Sequence, residues 1–172
     1  MEVKNRKKLF KPYNKVNDTR VTIMWDYKPV FKLNAEGVEV ETPLAIWQEY
    51  TFNHVPTLNE IKQVVIDYYN KQIDQQIIDG LVWKGMKVWL STENQFNYKV
   101  AYDLAIQTGG ATLPITFKFG NENEAVYYEF KTIEELTDFY LTTINYVQTV
   151  LQEGWKKKDT INWSIFQKSD IY

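Results

Sequence analysis

The stretch that decides the fold of this chain is residues 81–90, which read LVWKGMKVWL. Two short apolar runs, each containing a tryptophan, lie on either side of Lys84-Gly85. A two-residue hairpin turn that matches strand twist needs positive φ, and glycine adopts positive φ without a Cβ clash. The stretch therefore predicts a tight β-hairpin whose turn is Lys84-Gly85.

A helix is predicted on each side of this hairpin. Before it, Thr57-Leu58-Asn59-Glu60 has the capping-box pattern that begins a helix, and Gly80 can supply the left-handed residue that ends it. After it, a second helix is expected to begin at Ser91 or Thr92, with Gln95 completing a capping box to Thr92. We expect the apolar face of this second helix to consist of Phe96, Val100, Ala101, Leu104 and Ala105.

The same alternation continues toward the C-terminus. Residues 112–119 and 126–130 predict a second hairpin with Gly120-Asn121-Glu122-Asn123-Glu124 as its loop. Thr132-Ile133-Glu134-Glu135 predicts the start of a third helix that runs to Gly154. Because the connections are short, we expect antiparallel hairpins that share one sheet. The fold class that follows is α+β, with three helices packed on antiparallel β-hairpins in the order α-ββ-α-ββ-α.

The N-terminal third is rich in strand signals. Strands are predicted at residues 21–25, 30–33, 38–42 and 46–52, with Asn34-Ala35-Glu36-Gly37 as a turn and Pro43 as a stop. Residues 1–20 are polar, and we expect an extended or partly disordered arm that orders on a partner. The predicted domains are a basic extended arm (1–20), a β-rich segment (21–56), an α+β domain (57–160) and a C-terminal tail (161–172).

Charge is divided unevenly along the chain. Residues 1–20 hold seven basic and two acidic residues, a net +5, whereas residues 21–172 hold 13 basic and 20 acidic residues, a net −7. Three interpretations of the basic arm are open: a solvated tail, docking onto an acidic protein neighbour, and nucleic-acid binding, which the acidic body disfavours. The candidate partner-binding residues are Lys4, Arg6, Lys7, Lys8, Leu9, Phe10, Lys11 and Tyr13.

The residues that carry catalysis and metal binding are sparse. There is no cysteine, which excludes disulfides, cysteine-based zinc sites and thiol catalysis, and His54 is the only histidine. The acidic loop at 121–124 lacks the full pattern of a calcium loop. Glu134, Glu135 and Asp138 fall in the first turns of a helix, where negative charge offsets the helix dipole. We expect no catalytic residue, no metal and no cofactor, so the chain is not predicted to be an enzyme.

The aromatic content and the absence of membrane signals bound the partners. Aromatic residues make up 16% of the chain, with 12 Tyr, 9 Phe and 6 Trp, which exceeds what a minimal core needs. Tyr and Trp are common in protein interfaces. We therefore expect a homo-oligomer or an obligate protein partner. The Lys-rich start is not a signal peptide, and no apolar run approaches a membrane span, so no membrane partner is predicted.

One motif carries a resemblance to a known family. Trp83, Gly85 and Val88 are followed by Ser91 and Gln95, in the pattern W-x-G-x-x-V then S-x-x-x-Q. Over residues 57–160 the chain resembles a domain family of unknown function in phage and prophage proteins of gut bacteria. Members of that kind occur in crAss-like tailed phages and are related to tail-fibre and tail-fibre-assembly proteins. The resemblance implies a phage setting without cofactor or active site.

Three functions compete at this stage. The first is a phage virion structural protein, made in the host cytoplasm, that serves as a fibre, ring or adaptor subunit of the head or tail. It would act through contacts with other virion or fibre proteins. The second is a tail-fibre assembly chaperone that is not part of the virion. The third, a phage hydrolase, lacks the residue sets that hydrolysis requires.

Overall fold

The computed structural model describes residues 1–120 and 123–167, and this part of the chain is α+β, as the sequence predicts. Its strands are β1 (Glu2–Arg6), β2 (Tyr13–Asn17), β3 (Arg20–Leu33), β4 (Glu39–Phe52), β5 (Leu81–Trp83), β6 (Met86–Val88), β7 (Ile115–Gly120) and β8 (Ala125–Phe130). Its helices are α1 (Leu58–Asp79), α2 (Thr92–Gln107) and α3 (Ile133–Asp159), with 3₁₀ turns at Lys7–Leu9 and Trp163–Phe166.

The chain divides into two compact units, each with its own core. The first contains Met1–Tyr68 and the described residues from Ile161 onward, and the second contains Tyr69–Thr160. The boundary therefore lies within α1 rather than at residue 56, where the sequence suggested it. The predicted C-terminal tail is part of the first unit up to Gln167, and its last five residues lie outside the described part of the chain.

The first unit is built on a four-stranded antiparallel sheet in the order β1-β4-β3-β2. On one face, Met24, Ala45 and Trp47 form a buried cluster, and Val3 and Phe10 pack against it. Elsewhere in the sheet, the Trp25 ring lies 5.6 Å from that of Tyr68, edge to face. The sheet thus holds its aromatic residues in fixed positions while its two long central strands extend past their neighbours.

The expectation of a separate basic arm was wrong. Residues 2–6 pair with β4, with Lys4 opposite Ile46 and Arg6 opposite Leu44. Residues 13–17 pair with β3, with Tyr13 opposite Ile23. β1 and β2 are the two edge strands of the sheet, and lysine and arginine are common in exposed edge strands. The high positive charge of the segment is therefore compatible with strand formation. The segment is consequently part of the fold of its own chain.

Proline did not end the strands where the sequence suggested. β3 continues through Pro29 and β4 continues through Pro43, so four predicted strands become two of 14 residues each. The register shifts between Trp25 and Lys28 and again between Pro29 and Phe31. Such irregularities accommodate a proline, because they interrupt the hydrogen-bond ladder to which it cannot donate. The predicted turn at Asn34–Gly37 is confirmed, with Gly37 at φ 76°.

The second unit packs two hairpins with the C-terminal part of α1, α2 and α3. Its core contains Trp83, Val88, Phe119, Phe130 and Phe139, together with other apolar residues from every element of the unit. The hairpins form two separate two-stranded sheets, so the prediction of one shared sheet was wrong. Aromatic side chains fill the space between the hairpins and the helices. The two hairpins are therefore held together by side-chain packing and not by hydrogen bonds from one hairpin to the other.

The tight turn of β5–β6 is confirmed. Trp83 pairs with Met86, and the two intervening residues have positive φ: 46° at Lys84 and 78° at Gly85. Positive φ at both central positions is the mark of a type I′ turn. The β7–β8 pairing from Ile115 with Phe130 to Gly120 with Ala125 confirms the predicted hairpin, although its first strand begins at Ile115 and not at Thr112. Two residues of its predicted loop, Asn121 and Glu122, lie outside the described part of the chain.

One of the three predicted capping boxes is confirmed in full. The Thr57 N–H donates to the Glu60 carboxylate at 2.8 Å, and the Glu60 N–H donates back to the Thr57 hydroxyl at 3.3 Å. At α3 only half of the predicted box forms: the Thr132 hydroxyl accepts from the Glu135 N–H at 3.2 Å, while the Glu135 carboxylate bonds to Lys84 and Tyr128 instead of to the Thr132 N–H. The capping box between Thr92 and Gln95 was wrong, because Ser91 caps α2 and accepts from the N–H of Asn94.

The prediction that the third helix ends at Gly154 was wrong. α3 continues to Asp159, and Lys156, Lys157 and Lys158 lie in its last turn, where cations favour the helix dipole. A Cβ at Gly154 would lie 2.2 Å from Cδ1 of Ile73 in α1. The glycine is therefore the point of close approach between α1 and α3 within the second unit.

Candidate protein-protein interface

The outer half of the β3–β4 hairpin projects from the sheet of the first unit. The last pairing of β1 joins Arg6 to Leu44, and the last pairing of β2 joins Tyr13 to Ile23, so neither edge strand accompanies the hairpin to its tip. None of residues 26–44 is buried. We call residues 28–43 the ribbon.

The tip of the ribbon is an ordered turn. The Asn34 side-chain oxygen accepts hydrogen bonds from the N–H groups of Glu36 (3.0 Å) and Val38 (2.9 Å). The Asn34 N–H donates to the Val38 carbonyl at 2.9 Å, which closes the hairpin. Asparagine is suited to this position because its short side chain bonds to the backbone just ahead of it. The turn thus holds its neighbours, Leu33 and Val38, in a defined arrangement.

The base of the ribbon is fixed to the rest of the unit. Lys7 forms an ion pair with Glu41. The Thr42 hydroxyl donates to the Val30 carbonyl at 2.7 Å, across the two strands. The Tyr68 hydroxyl donates to Asp26 at 3.3 Å, and partial burial together with the negative charge of Asp26 raises the pKa of Tyr68 to about 12. The ribbon is therefore braced at its base and unsupported beyond Glu41.

One face of the ribbon combines apolar and acidic side chains. Phe31 pairs with Glu41, and Leu33 pairs with Glu39, which places all four side chains on one side of the two strands. Phe31 is 52% exposed, Leu33 64% and, at the tip, Val38 55%. Exposed apolar groups rimmed by charge are typical of surfaces that bind other proteins.

The eight predicted partner-binding residues fall into two groups. Lys4, Arg6, Lys8, Leu9 and Lys11 are exposed on the first unit. The other three take part in the fold: Lys7 pairs with Glu41, Tyr13 is a residue of β2, and Phe10 is half-buried. The Phe10 ring lies 4.9 Å from that of Tyr27 and 5.8 Å from that of Trp47.

Part of this basic segment borders a cleft of about 400 Å³ in the first unit. Its lining consists of Phe10, Lys11, Pro12, Tyr13, Lys15, Ile165 and Gln167. The volume is within the range of about 300–1,000 Å³ that is usual for binding pockets. Lys15 is paired with Asp18 at 2.7 Å, while the ammonium group of Lys11 has no ion-pair partner among the described residues. The cleft therefore offers aromatic walls and a free positive charge.

The motif residues of the second unit have structural positions. Trp83 is buried, stacks on Phe130 at 5.4 Å, and donates from its indole N–H to Asp138 at 3.2 Å. Val88 is fully buried, and Gly85 holds the turn. The Ser91 hydroxyl caps α2, and the Gln95 amide donates to the Leu90 carbonyl at 2.8 Å. The motif thus describes a hairpin joined to a helix start.

A charged network surrounds the β5–β6 turn, and the sequence did not indicate it. The Lys84 ammonium donates to the Tyr128 hydroxyl at 3.0 Å and to Glu135 at 2.8 Å, and the Tyr128 hydroxyl also bonds to Glu135. The hydrogen bond from Lys84, followed by that from Tyr128, lowers the pKa of Glu135. Lys84 also lies 4.5 Å from the centre of the Trp83 ring. Glu135 and Asp138 therefore act as partners of the hairpin.

The predicted apolar face of α2 is divided between core and surface. Tyr98, Ala101 and Ala105 are buried, and burial raises the pKa of Tyr98 to about 12. The other predicted members of the face are exposed and lie at helical spacing along α2; they are Phe96, Val100 and Leu104. Phe96 is the most exposed of these, at 65%.

Three further features of the described ranges concern catalysis, metal binding and membrane crossing. His54 lies 2.9 Å from Glu60, next to the cap of α1. In residues 1–120 and 123–167, no three potential ligand side chains are grouped so as to hold a metal ion. No helix in those ranges combines the length and apolar character that a membrane crossing requires. No family model, curated protein or solved structure matches the chain.

Proposed function

We propose that this protein is a structural component of a tailed-phage virion, where it acts through protein–protein contacts as a fibre, ring or adaptor subunit of the head or tail. The observation that carries the proposal is the ribbon. This hairpin projects from its sheet, is fixed at its base and exposes Phe31, Leu33 and Val38 instead of packing them in the core of its own unit. It is well suited to inserting into a neighbouring protein.

The second unit supports a structural role in a different way. Its aromatic core is dense, with Phe139 in contact with Trp83, Tyr98, Phe117, Phe119 and Phe130. Among its exposed apolar groups, Phe96, Val100 and Leu104 form a stripe along α2. A chain with two separate exposed apolar features can contact two neighbours, as a ring or adaptor subunit must.

The phage setting rests on the resemblance carried by Trp83, Gly85, Val88, Ser91 and Gln95. In the fold these residues hold one hairpin to the start of one helix, so the motif has a structural reason to be retained as a unit. The proposal assigns no chemical reaction to the protein and places it in the assembled virion.

Mass spectrometry of purified virions tests this proposal. Particles of a phage that encodes this chain are purified on a density gradient, and each protein is quantified relative to the major capsid protein. We expect the chain at a fixed, reproducible number of copies per particle that survives a second gradient. Presence in the infected-cell lysate but absence from the purified particles would overturn the proposal and favour an assembly chaperone.

A further inference from the structure

We infer that the ribbon tip of one molecule docks into the basic cleft of a second copy of this chain, so that copies assemble head to tail. The inference rests on the proposed function in taking a protein as the partner, and it adds which surfaces meet and that the partner is identical. The tip is residues 33–39, and the cleft is the one bordered by Phe10, Lys11, Tyr13 and Ile165.

The two surfaces are chemically complementary. The tip exposes Leu33 and, directly across the two strands from it, Glu39. It also exposes Val38 and Glu36, and neither Glu36 nor Glu39 has an ion-pair partner among the described residues. The cleft presents aromatic walls beside Lys11. Apolar contact would supply affinity, while opposite charges would set the orientation and speed of association. Charge complementarity within one kind of chain points to a second copy as the occupant.

The tip cannot reach the cleft of its own molecule. Phe10, in the wall of the cleft, contacts Tyr27, which directly precedes the ribbon, with ring centres 4.9 Å apart. Leu33 is six residues further along β3, which corresponds to about 20 Å in an extended strand. The ion pair between Lys7 and Glu41 holds the base of the ribbon in place, so the tip stays at this distance from its own cleft. A second molecule is needed to bring the two surfaces together.

Such a contact joins two different surfaces, so it leaves one free tip and one free cleft at the ends of every pair. Contacts of this type close into rings or continue as filaments, according to the rotation between neighbours. The free tip and free cleft distinguish this arrangement from a symmetric dimer, in which the same surface would meet itself. Disabling one surface at a time therefore tests the inference.

The test uses two variants of the full chain, each with one surface disabled. The tip variant carries Leu33→Lys and Glu39→Lys, and the cleft variant carries Lys11→Glu and Ile165→Glu. All four positions are exposed, so both variants are expected to fold, and circular dichroism checks this. Sedimentation velocity at low salt then gives the size of each variant, of the unmodified protein and of a 1:1 mixture.

We expect the unmodified protein to assemble beyond the dimer and each variant to be monomeric. The mixture should form a dimer and nothing larger, because only the cleft of the tip variant and the tip of the cleft variant remain able to meet. A mixture of folded variants that stays monomeric would overturn the inference. So would an unmodified protein that is monomeric, or variants that assemble as the unmodified protein does.

A charge exchange and a matched control complete the test. Glu39→Lys and Lys11→Glu, placed together in one chain, should restore assembly that either change alone weakens. Phe96→Lys removes an equally exposed apolar group on α2 and should leave assembly intact. If Phe96→Lys abolishes assembly and the tip variant does not, the copies meet through α2 and the inference is wrong. Absence of the chain from virions would overturn the proposed function without affecting any of these outcomes.

Discussion

The β5–β6 hairpin and the ribbon have similar glycine turns, but the first is packed in a core and the second is exposed. Each turns at a glycine with almost the same positive φ, 78° at Gly85 and 76° at Gly37, and at both a Cβ would meet nothing within 4 Å. The β5–β6 hairpin buries Trp83 and Val88, whereas no residue of the ribbon is buried. Turn chemistry therefore forms a hairpin without deciding whether it belongs to a core or to a surface.

The difference lies in what stands opposite each apolar residue. In the buried hairpin, Leu81 pairs with Val88, so an apolar side chain faces another. In the ribbon, Phe31 faces Glu41 and Leu33 faces Glu39. Burying Leu33 within the chain would also desolvate the carboxylate of Glu39, which has no ion-pair partner among the described residues, and this is unfavourable. A neighbour that brings positive charge removes that penalty.

The largest effect on stability is expected when one aromatic ring is removed from the core and, in a separate variant, one from the ribbon. Phe139→Ala removes a fully buried ring that lies about 5 Å from the rings of Trp83 and Tyr98, and should lower the free energy of unfolding by about 3–5 kcal/mol. Phe31→Ala removes an exposed ring from the ribbon and should change it by less than about 0.5 kcal/mol. Urea denaturation followed by circular dichroism measures both. Similar losses for the two variants would mean that the ribbon contributes to a core.

A smaller effect is expected from changing the two turn glycines. Gly85→Val places a β-branched residue at φ 78° and should lower the free energy of unfolding by about 1–3 kcal/mol, because the turn must keep this strained conformation while the hairpin stays packed. Gly37→Val introduces the same strain at the ribbon tip, which can open locally, so the main unfolding transition should shift less. Thermal melts of both variants provide the comparison, and equal shifts would contradict it.

Features set by neighbouring residues in the sequence were predictable. The turn at Lys84-Gly85 and the caps at Thr57 and Thr132 depend on side chains that bond within four residues, and these were found as expected. The passage of β4 through Pro43 was not predictable in this way. It depends on irregular pairing with β3, which only the assembled sheet provides.

The candidate interface was predicted only in part, for the same reason. The basic residues of the cleft stand out in the sequence, but Ile165 comes from the other end of the chain, and no local pattern links the two. The alternation in Val38-Glu39-Val40-Glu41 indicates a strand with one apolar face. It does not indicate that this part of the strand projects beyond the edge strands of the sheet. Likewise, α2 has more apolar positions than its neighbours can cover, so Phe96 and Ala101 look alike in sequence although only Ala101 is buried.

The smallest predicted effect concerns the charged network that holds the buried hairpin and has no equivalent at the ribbon tip. Hydrogen bonds from Lys84 and Tyr128 lower the pKa of Glu135 below its ordinary value of 4.5, so the unfolded chain binds a proton more readily than the folded one. The stability that Glu135 contributes is therefore fully present above about pH 4.5 and is lost as the pH falls through its lower folded pKa. Glu135→Gln should make the free energy of unfolding less dependent on pH in that acidic range, measured by urea denaturation between pH 7 and pH 3. Glu134→Gln, at the exposed neighbouring position, removes the same charge from the same helix turn without touching Lys84, and should leave the pH dependence nearly unchanged. If the two variants respond to acid alike, general charge rather than the Lys84–Glu135 contact governs the hairpin.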